Sequence, residues 1–195
     1  VCAAEFIEKS LGPKMGTYRV HEPPAAEKLE QLKQALAMAG VRLPHGDLTP
    51  QGLKAATDQL AGKENRWLYE MMVLRSLMQA AYTPDNKGHF GLGLARYMHF
   101  TSPIRRYADL LVHRTIKAIL AGEEPLYDTE ALLEIGMRIS ATERRAESAG
   151  WAVDAWLKCE YVAPRIGETF DGIVMGVTEF GLFVELKGFY VQGLL

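Results

Sequence analysis

Apolar residues recur with a helical spacing along most of the first 165 positions of the chain. Within residues 27–39 they form one stripe, which ends at Gly40 as a helix C-terminus often does. Thr49-Pro50 predicts the start of a second helix, with Thr as N-cap and Pro at the first helical position, that runs to Gly62. Residues 64–81 are rich in Met and Leu on all sides, which predicts a third helix that is buried on several faces.

Proline and glycine mark the changes of structure that follow. A turn-forming cluster at 83–86 precedes the Gly-rich, aromatic residues 88–100, for which we predict strand and loop. Ser102-Pro103 predicts the start of a helix that runs to Ala121. A long last helix is predicted from Asp128 or Thr129 to about Tyr161.

After Pro164 the spacing of apolar positions changes from helical to alternating. Residues 170–177 and 180–186 predict two strands joined by a short turn, and Lys187-Gly188 turns into a third. These are the opening strands of a small OB-type β-barrel, and the remaining residues are too few to close it. We therefore predict an α+β chain, with a mostly helical domain over 1–165 and a truncated barrel over 166–195.

The composition is that of an ordinary globular protein, since 48% of the 195 residues are hydrophobic and 24% are charged. No apolar run approaches the roughly 18 residues that a membrane-spanning helix needs. The cysteines, Cys2 and Cys159, are too few for a disulfide framework, which favours a reducing, cytoplasmic location. Because the chain opens within a helical pattern and stops within a strand pattern, we expect it to be a piece of a longer protein.

The net charge of −2 conceals a strongly basic segment. Between Lys87 and Lys117, six Lys and Arg side chains stand against one acidic residue, Asp109, for a local net charge of +5. Phe90, Tyr97 and two further aromatic residues are interspersed among them. This pattern fits a surface for single-stranded nucleic acid, and it equally fits a solvated helix face over core aromatics.

The predicted start of the Ser102 helix places this charge in a specific position. With Ser102 as N-cap, Arg105 and Arg106 fall in the first turn, where the helix dipole disfavours a cation by a few tenths to about 1 kcal/mol. An anion would offset that cost, so free backbone N–H groups, the Ser102 hydroxyl and a guanidinium predict a phosphate site. The alternative is an exposed Arg105–Asp109 pair, worth only about 0.3–0.5 kcal/mol. Arg105, Asp109 and His113 would share the face that meets the ligand.

The residues indicate no catalytic motif of their own. His89, His99 and His113 are too irregularly spaced for a metal motif, and the sequence contains no P-loop, no GxSxG and no cluster of closely spaced aspartates. Glu147 and its charged neighbours are read most simply as a solvated helix face. The residues alone therefore indicate a phosphate-binding helical platform followed by a barrel of a type that binds single-stranded nucleic acid.

One long run, however, carries a family resemblance. Residues 97–114, YMHFTSPIRRYADLLVHR, together with the preceding residues 88–92, resemble the signature of the RNB catalytic domain of the RNase II and RNase R exoribonucleases. Residues 1–4, 21–24, 74–77 and 82–86 agree with it. Residues 172–186 resemble the start of the S-one RNA-binding domain that follows RNB in this family. The resemblance covers essentially the whole chain.

The resemblance implies an enzyme that degrades single-stranded RNA from its 3′ end, processively, to nucleoside 5′-monophosphates. It implies magnesium ions held by aspartates that lie upstream of Val1, so that this chain by itself is expected to hold no metal and to be inactive. It further implies a monomeric parent protein without a small-molecule cofactor or a membrane partner. The alternative is a non-catalytic RNA-binding protein or scaffold that keeps the RNB shape.

The resemblance also assigns roles to individual residues. Arg105 matches the family's arginine near the scissile phosphate and is the predicted catalytic residue. The predicted RNA-binding residues are Ser102, Arg106, Tyr97, His99, Glu147, Phe180 and Phe183. Among these, Arg106 is expected to contact RNA phosphates and Glu147 the bound RNA end. Phe180 and Phe183 match aromatic positions on the RNA-facing side of the S-one domain, although a core role stays open for one of them.

Overall fold

A computed structural model describes residues 1–44, 46 and 48–195 of the chain. Within these residues it contains six α-helices and five β-strands: α1 Cys2–Leu11, β1 Tyr18–Val20, α2 Ala26–Met38, α3 Pro50–Asp58, α4 Arg66–Ser76, β2 Ala81–Thr83, α5 Tyr107–Ala121, α6 Thr129–Val162, β3 Gly172–Thr178, β4 Gly181–Leu186 and β5 Val191–Leu194. Contacts divide the chain into two units, Val1–Thr142 and Glu143–Leu195. This division falls inside α6, and the predicted domain boundary at 165/166 stays a prediction. The predicted order, a helical part followed by a small antiparallel sheet, is confirmed.

The described residues of the first unit form two hydrophobic cores. One joins α2, α3 and α4 through Leu36, Leu53 and Val73. The other joins α1, β1 and α5 through Ile7, Tyr18 and Val112, and it also takes in the side chain of Met98. Met98 belongs to the segment that leads into α5, so burial of its side chain fixes that segment to the helix.

The predicted α2 and α3 are confirmed within a few residues at their ends. Gly40 follows α2 with a φ of +70°, a left-handed conformation that glycine adopts without strain. Thr49 caps α3, since its hydroxyl oxygen accepts a hydrogen bond from the Gly52 N–H at 3.0 Å. The cap residue and the proline after it are local signals, which is why the sequence located this helix start.

The third predicted helix is shorter than expected and less buried. α4 ends at Ser76, because Leu77 is extended and Ala81–Thr83 forms a strand instead. Within α4, Val73 and Ser76 are buried, whereas Leu74 is 61% exposed, so the expected burial on several faces is wrong.

Strand β1, which the sequence pattern did not indicate, organises the middle of the first unit. It pairs antiparallel with β2, with Arg19 opposite Tyr82. The backbone of β1 and of His21 after it also bonds to the predicted strand-and-loop residues 88–100. The Arg19 N–H donates to the Tyr97 carbonyl at 2.8 Å, and the His21 N–H donates to the Gly88 carbonyl at 3.1 Å. Residues 88–100 form a loop with one 3₁₀ turn, Phe90–Leu92, and contain no regular strand.

The first part of α6 supports β2 from the other side. Asp128 caps this helix by accepting a hydrogen bond from the Ala131 N–H at 2.8 Å, as the sequence predicts. Gly136 packs so closely that a Cβ there would lie 2.6 Å from the Tyr82 carbonyl oxygen. Ser140 accepts a hydrogen bond from the Tyr82 N–H at 2.9 Å, so α6 sets the position of β2.

The second unit contains the rest of α6 and a three-stranded antiparallel sheet in the order β3-β4-β5. The register pairs Val174 with Val184 and shifts between Val174 and Gly176. Several apolar side chains of this sheet are exposed, among them Val177 and Phe180. Of the helices in the described ranges, none is long and apolar enough to cross a membrane.

Candidate nucleic-acid interface

Residues 97–106 connect the edge of β1 to the start of α5, and their backbone is fixed at several points. The Tyr97 carbonyl accepts from Arg19, and the Met98 side chain is buried. The Phe100 ring stacks on His113 of α5, with ring centroids 4.2 Å apart and the planes within 3°. His113 Nε2 also lies 2.8 Å from the Phe100 carbonyl oxygen. This segment is therefore held in place before any ligand binds.

Two of the predicted RNA-binding residues, Tyr97 and His99, are half-buried in a cluster of rings. Their centroids lie 5.5 Å apart in an edge-to-face arrangement. The Tyr82 hydroxyl lies 2.8 Å from His99 Nδ1, and the ring of His89 lies 5.4 Å from that of Tyr97. The cluster sets the orientation of Tyr97 and His99 relative to the segment that follows.

A second pair of rings, His21 and His89, extends this cluster. The two imidazoles stack with centroids 5.0 Å apart, and His21 Nδ1 accepts a hydrogen bond from the Gly91 N–H at 2.9 Å. Burial, with smaller contributions from His21 and Arg19, lowers the pKa of His89 to about 4. The His89 ring is therefore neutral near pH 7. Among the described residues, no group of three or more His, Cys, Asp or Glu side chains is placed to hold a metal ion.

The carboxylate of Asp109, in the first turn of α5, holds this region together through three hydrogen bonds. It is completely buried and accepts hydrogen bonds from the Ser102 N–H, from Arg106 Nε and from Arg106 Nη2, each at 2.8 Å. Burial alone would raise the pKa of Asp109, but the hydrogen bonds from Arg106 and from the Ser102 N–H outweigh it and lower that pKa. The alternative Arg105–Asp109 pair does not form, since Asp109 is paired with Arg106. Asp109 also faces the interior of the protein instead of the ligand side that the sequence predicted.

The predicted helix start at Ser102-Pro103 is also wrong. Residues 103–105 form a turn closed by the Arg106 N–H, which donates to the Ser102 carbonyl at 3.0 Å, and α5 begins at Tyr107. Arg106 stands at the N-cap with an extended backbone, and Ser102 lies four residues before it. Arg105 consequently lies in a turn and not in a helical first turn, so the dipole argument for a phosphate site no longer applies to it.

Arg105 is nevertheless an arginine that the turn before α5 leaves available. Its side chain is exposed, and no carboxylate among the residues that the structure describes pairs with it. Lys87 pairs with Glu22 at 2.7 Å and Arg96 with Glu8 at 3.2 Å, so tertiary contacts neutralise part of the basic segment. The rigid segment 97–106 thus presents the Arg105 guanidinium to the solvent.

The remaining predicted site residues belong to the second unit. Glu147 lies on the exposed part of α6. Phe180 precedes β4 and Phe183 lies within it, and their rings meet edge to face with centroids 6.3 Å apart. Phe180 is 72% exposed and Phe183 36% exposed, so the sheet presents an aromatic pair at its surface.

Several residues of the site were not found from the sequence. The sequence argument treated Asp109 as a possible partner of Arg105 and as a residue of the ligand-facing side, although its i, i+3 spacing from Arg106 was a usable signal for the pair that forms. Tyr82, Arg19 and His21 were not predicted as site residues, because their contacts with the loop join positions far apart in the chain. The Arg19 guanidinium, for example, lies 4.5 Å from the Tyr82 ring centre, on the neighbouring strand.

The fold and the loop before α5 are those of an RNB domain. The RNB domain matches residues 1–122, and the chain belongs to the RNB-domain family, as the sequence resemblance indicated. It is 38% identical to ribonuclease R of Escherichia coli (strain K12), over the whole of this chain and 25% of that protein. The chain thus spans about a quarter of the length of that curated relative.

Solved structures agree with this assignment. Mycoplasma genitalium RNase R, in complex with ribose-methylated single-stranded RNA, matches with a TM-score of 0.86 and 26% identity over 99% of this chain and 31% of that one. Yeast Ssd1, a pseudonuclease, matches with a TM-score of 0.82 and 25% identity over 98% of this chain and 24% of that one. The same fold is therefore found in a ribonuclease and in a pseudonuclease.

Proposed function

We propose that this chain is part of a processive 3′–5′ exoribonuclease that hydrolyses single-stranded RNA to nucleoside 5′-monophosphates. The observation that carries the proposal is Arg105, an exposed guanidinium without a carboxylate partner in the described part of the chain, on a segment fixed by buried contacts. The similarity to ribonuclease R over the whole chain supports it. Magnesium dependence, a monomeric enzyme and a cytoplasmic location belong to the same proposal.

The catalytic contribution of Arg105 is electrostatic. A guanidinium offers a planar set of five N–H donors that matches two phosphate oxygens at once. Negative charge grows on the non-bridging oxygens as a phosphodiester reacts, so a fixed cation stabilises the transition state more than the ground state. Because its backbone is already held in place, only the side chain of Arg105 would have to become ordered when the RNA binds.

Other parts of the chain would hold the RNA. Tyr97, His99 and Ser102 lie on the segment that presents Arg105. In the second unit, the exposed rings of Phe180 and Phe183 fit the stacking of successive bases. Glu147 is proposed near the RNA end. The described residues do not form a magnesium site, so no step assigned to this chain runs through a metal.

The decisive experiment digests a labelled single-stranded RNA with the full-length protein that carries this chain, in its wild-type and Arg105→Ala forms. We expect the wild type to release mononucleotides. Arg105→Ala should lower kcat by about 1,000-fold, because an arginine that stabilises a phosphoryl transition state is worth about 10³–10⁵ in rate. The affinity for RNA should fall far less.

Two further variants sharpen this test. Arg105→Lys should also be strongly impaired, because a point charge cannot reproduce the planar fork. Arg66→Ala removes an exposed arginine of α4, paired with Glu70 at 2.7 Å, and should leave kcat unchanged. Equal losses of kcat and of RNA affinity in Arg105→Ala would show that this residue contributes ordinary binding.

The second candidate function is a non-catalytic RNA-binding protein, which the match to the pseudonuclease Ssd1 favours. It predicts salt-dependent binding of labelled RNA without release of mononucleotides. The digestion of wild-type protein therefore separates the two candidates directly. A purely structural adaptor would show neither the cleavage nor the salt-dependent affinity.

A further inference from the structure

We propose that Asp109 is a positioning residue for Arg105, and that Arg106 serves as the internal counter-ion of Asp109 rather than as a contact to RNA phosphate. The inference rests on the proposed function, since it concerns how the proposed catalytic arginine is held. It is carried by the geometry of the turn Ser102–Arg106, in which both end residues bind one buried carboxylate.

The turn is anchored at its two ends to the same side chain. At its start, the Ser102 N–H donates to Asp109 Oδ1 at 2.8 Å. At its end, Arg106 donates through Nη2 to Oδ1 and through Nε to Oδ2, both at 2.8 Å. The turn is also closed on itself, because the Arg105 and Arg106 N–H groups both point to the Ser102 carbonyl, at 3.3 and 3.0 Å. The backbone of Arg105 is therefore fixed relative to α5, where Asp109 resides.

The charges explain why one arginine is available and its neighbour is not. Asp109 is completely buried, and a buried carboxylate needs a counter-ion and filled acceptor sites. The two-bond fork of Arg106 supplies both, and the Arg106 side chain is itself only 26% exposed. Were Arg106 to turn toward an RNA phosphate, Asp109 would lose its charged partner. Arg105 has no buried carboxylate to neutralise, so the Arg106–Asp109 pair leaves the Arg105 guanidinium exposed to solvent.

A double-mutant cycle on the full-length protein tests this positioning role. Asp109→Asn keeps an oxygen that can accept from the Ser102 N–H, but it loses the charge and one of the acceptors for Arg106. We expect kcat on single-stranded RNA to fall about 10- to 100-fold, since a displacement of about 1 Å can cost a factor of 100. KM should stay within about threefold. In the Arg105→Ala background, the same substitution should lower kcat less than threefold, because the group being positioned is absent.

The outcomes separate this inference from the proposed function. A wild-type protein that releases no mononucleotides refutes the proposed function and this inference with it. If the wild type is active and Asp109→Asn keeps its kcat, the positioning role alone is refuted. It is also refuted if Asp109→Asn lowers kcat equally with and without Arg105, because the effect then does not pass through Arg105.

Two controls keep the cycle interpretable. If Asp109→Asn does not fold, Arg106→Gln breaks the same ion pair at its more exposed partner. The double-mutant cycle with Arg105→Ala is then run on Arg106→Gln, with the same expected results. The matched control is Asp58→Asn on α3, whose carboxylate pairs with Lys54 at 2.7 Å on an exposed surface. This control should leave kcat unchanged in both backgrounds.

Discussion

The turn Ser102–Arg106 and the aromatic pair of β4 present candidate RNA-binding groups in opposite ways. In the turn, hydrogen bonds to one buried carboxylate fix the backbone, and the functional side chain of Arg105 projects from a rigid base. On the sheet, Phe180 and Phe183 contact each other edge to face, and the ring of Phe180 is 72% exposed to solvent. Chemistry on a phosphate needs a cation held within about 0.5 Å, whereas stacking on a base tolerates any base with a π-face. The difference in rigidity thus matches the difference in task.

Ionic contacts within the first unit show a similar contrast. The pair Lys54–Asp58 lies on an exposed helix face, where such contacts contribute roughly 0.3–0.5 kcal/mol. The pair Arg106–Asp109 has a buried carboxylate and a two-bond fork, so removing one partner leaves a buried group unsatisfied. The same two kinds of residue therefore produce effects of different size, depending on burial.

The largest expected effect on stability is that of Asp109→Ala. Loss of this carboxylate leaves Arg106 and the Ser102 N–H without their acceptor, so the free energy of unfolding of the first unit should fall by about 3 kcal/mol. Hydrogen exchange of the α5 amides in this chain measures the change for that unit by itself. Asp58→Ala should lower the free energy of unfolding of this unit by less than about 0.5 kcal/mol. An equal loss in Asp58→Ala and Asp109→Ala would contradict the comparison.

A smaller effect is expected from Phe180→Ala on the sheet. One stacking contact contributes about 1–3 kcal/mol, so the affinity for single-stranded RNA should fall about tenfold. Stability should hardly change, because this ring is 72% exposed. Fluorescence titration with labelled RNA measures the loss. Tyr190→Asn removes another exposed ring of the same unit, and an equal loss of affinity there would argue against a specific role for the pair.

The smallest effect is a pH dependence of stability from His89. Its pKa is about 4 in the folded protein and 6.5 in the unfolded chain. The unfolded state therefore binds the additional proton, and stability falls as the pH decreases from about 6.5 to about 4. The partial exposure of the ring keeps the effect modest. The pKa of Asp109 is also lowered in the folded protein. Lowering the pH through that pKa protonates Asp109 and removes the stability that its ionised form contributes.

Urea unfolding at pH 7 and at pH 5 tests the contribution of His89. His89→Asn retains an acceptor for the Leu92 N–H, which His89 Nδ1 accepts at 3.3 Å, and does not titrate in this range. The variant should lose less stability than the wild type between the two pH values. An identical loss in both proteins would assign the pH dependence to other groups.

Local signals in the sequence located the elements that depend on local chemistry. Thr49-Pro50 marked the start of α3, Asp128 capped α6, and the alternation after residue 170 indicated the strands of the second unit. The family resemblance over residues 97–114 identified the site region from the sequence alone. Arg105 was singled out in this way, although the helical first turn proposed for it was wrong.

Contacts between distant positions decided the rest. β1 and β2 are three residues each and pair across more than 60 positions, so neither shows a periodic pattern of its own. The sequence by itself determined which residues belong to the RNB family and which side chains carry charge. Only the tertiary structure decided that Asp109 is buried, that Arg106 is bound to it and that Arg105 is left exposed. The physical reason is that an ion pair forms where burial removes competing water, and burial is a property of the packed chain.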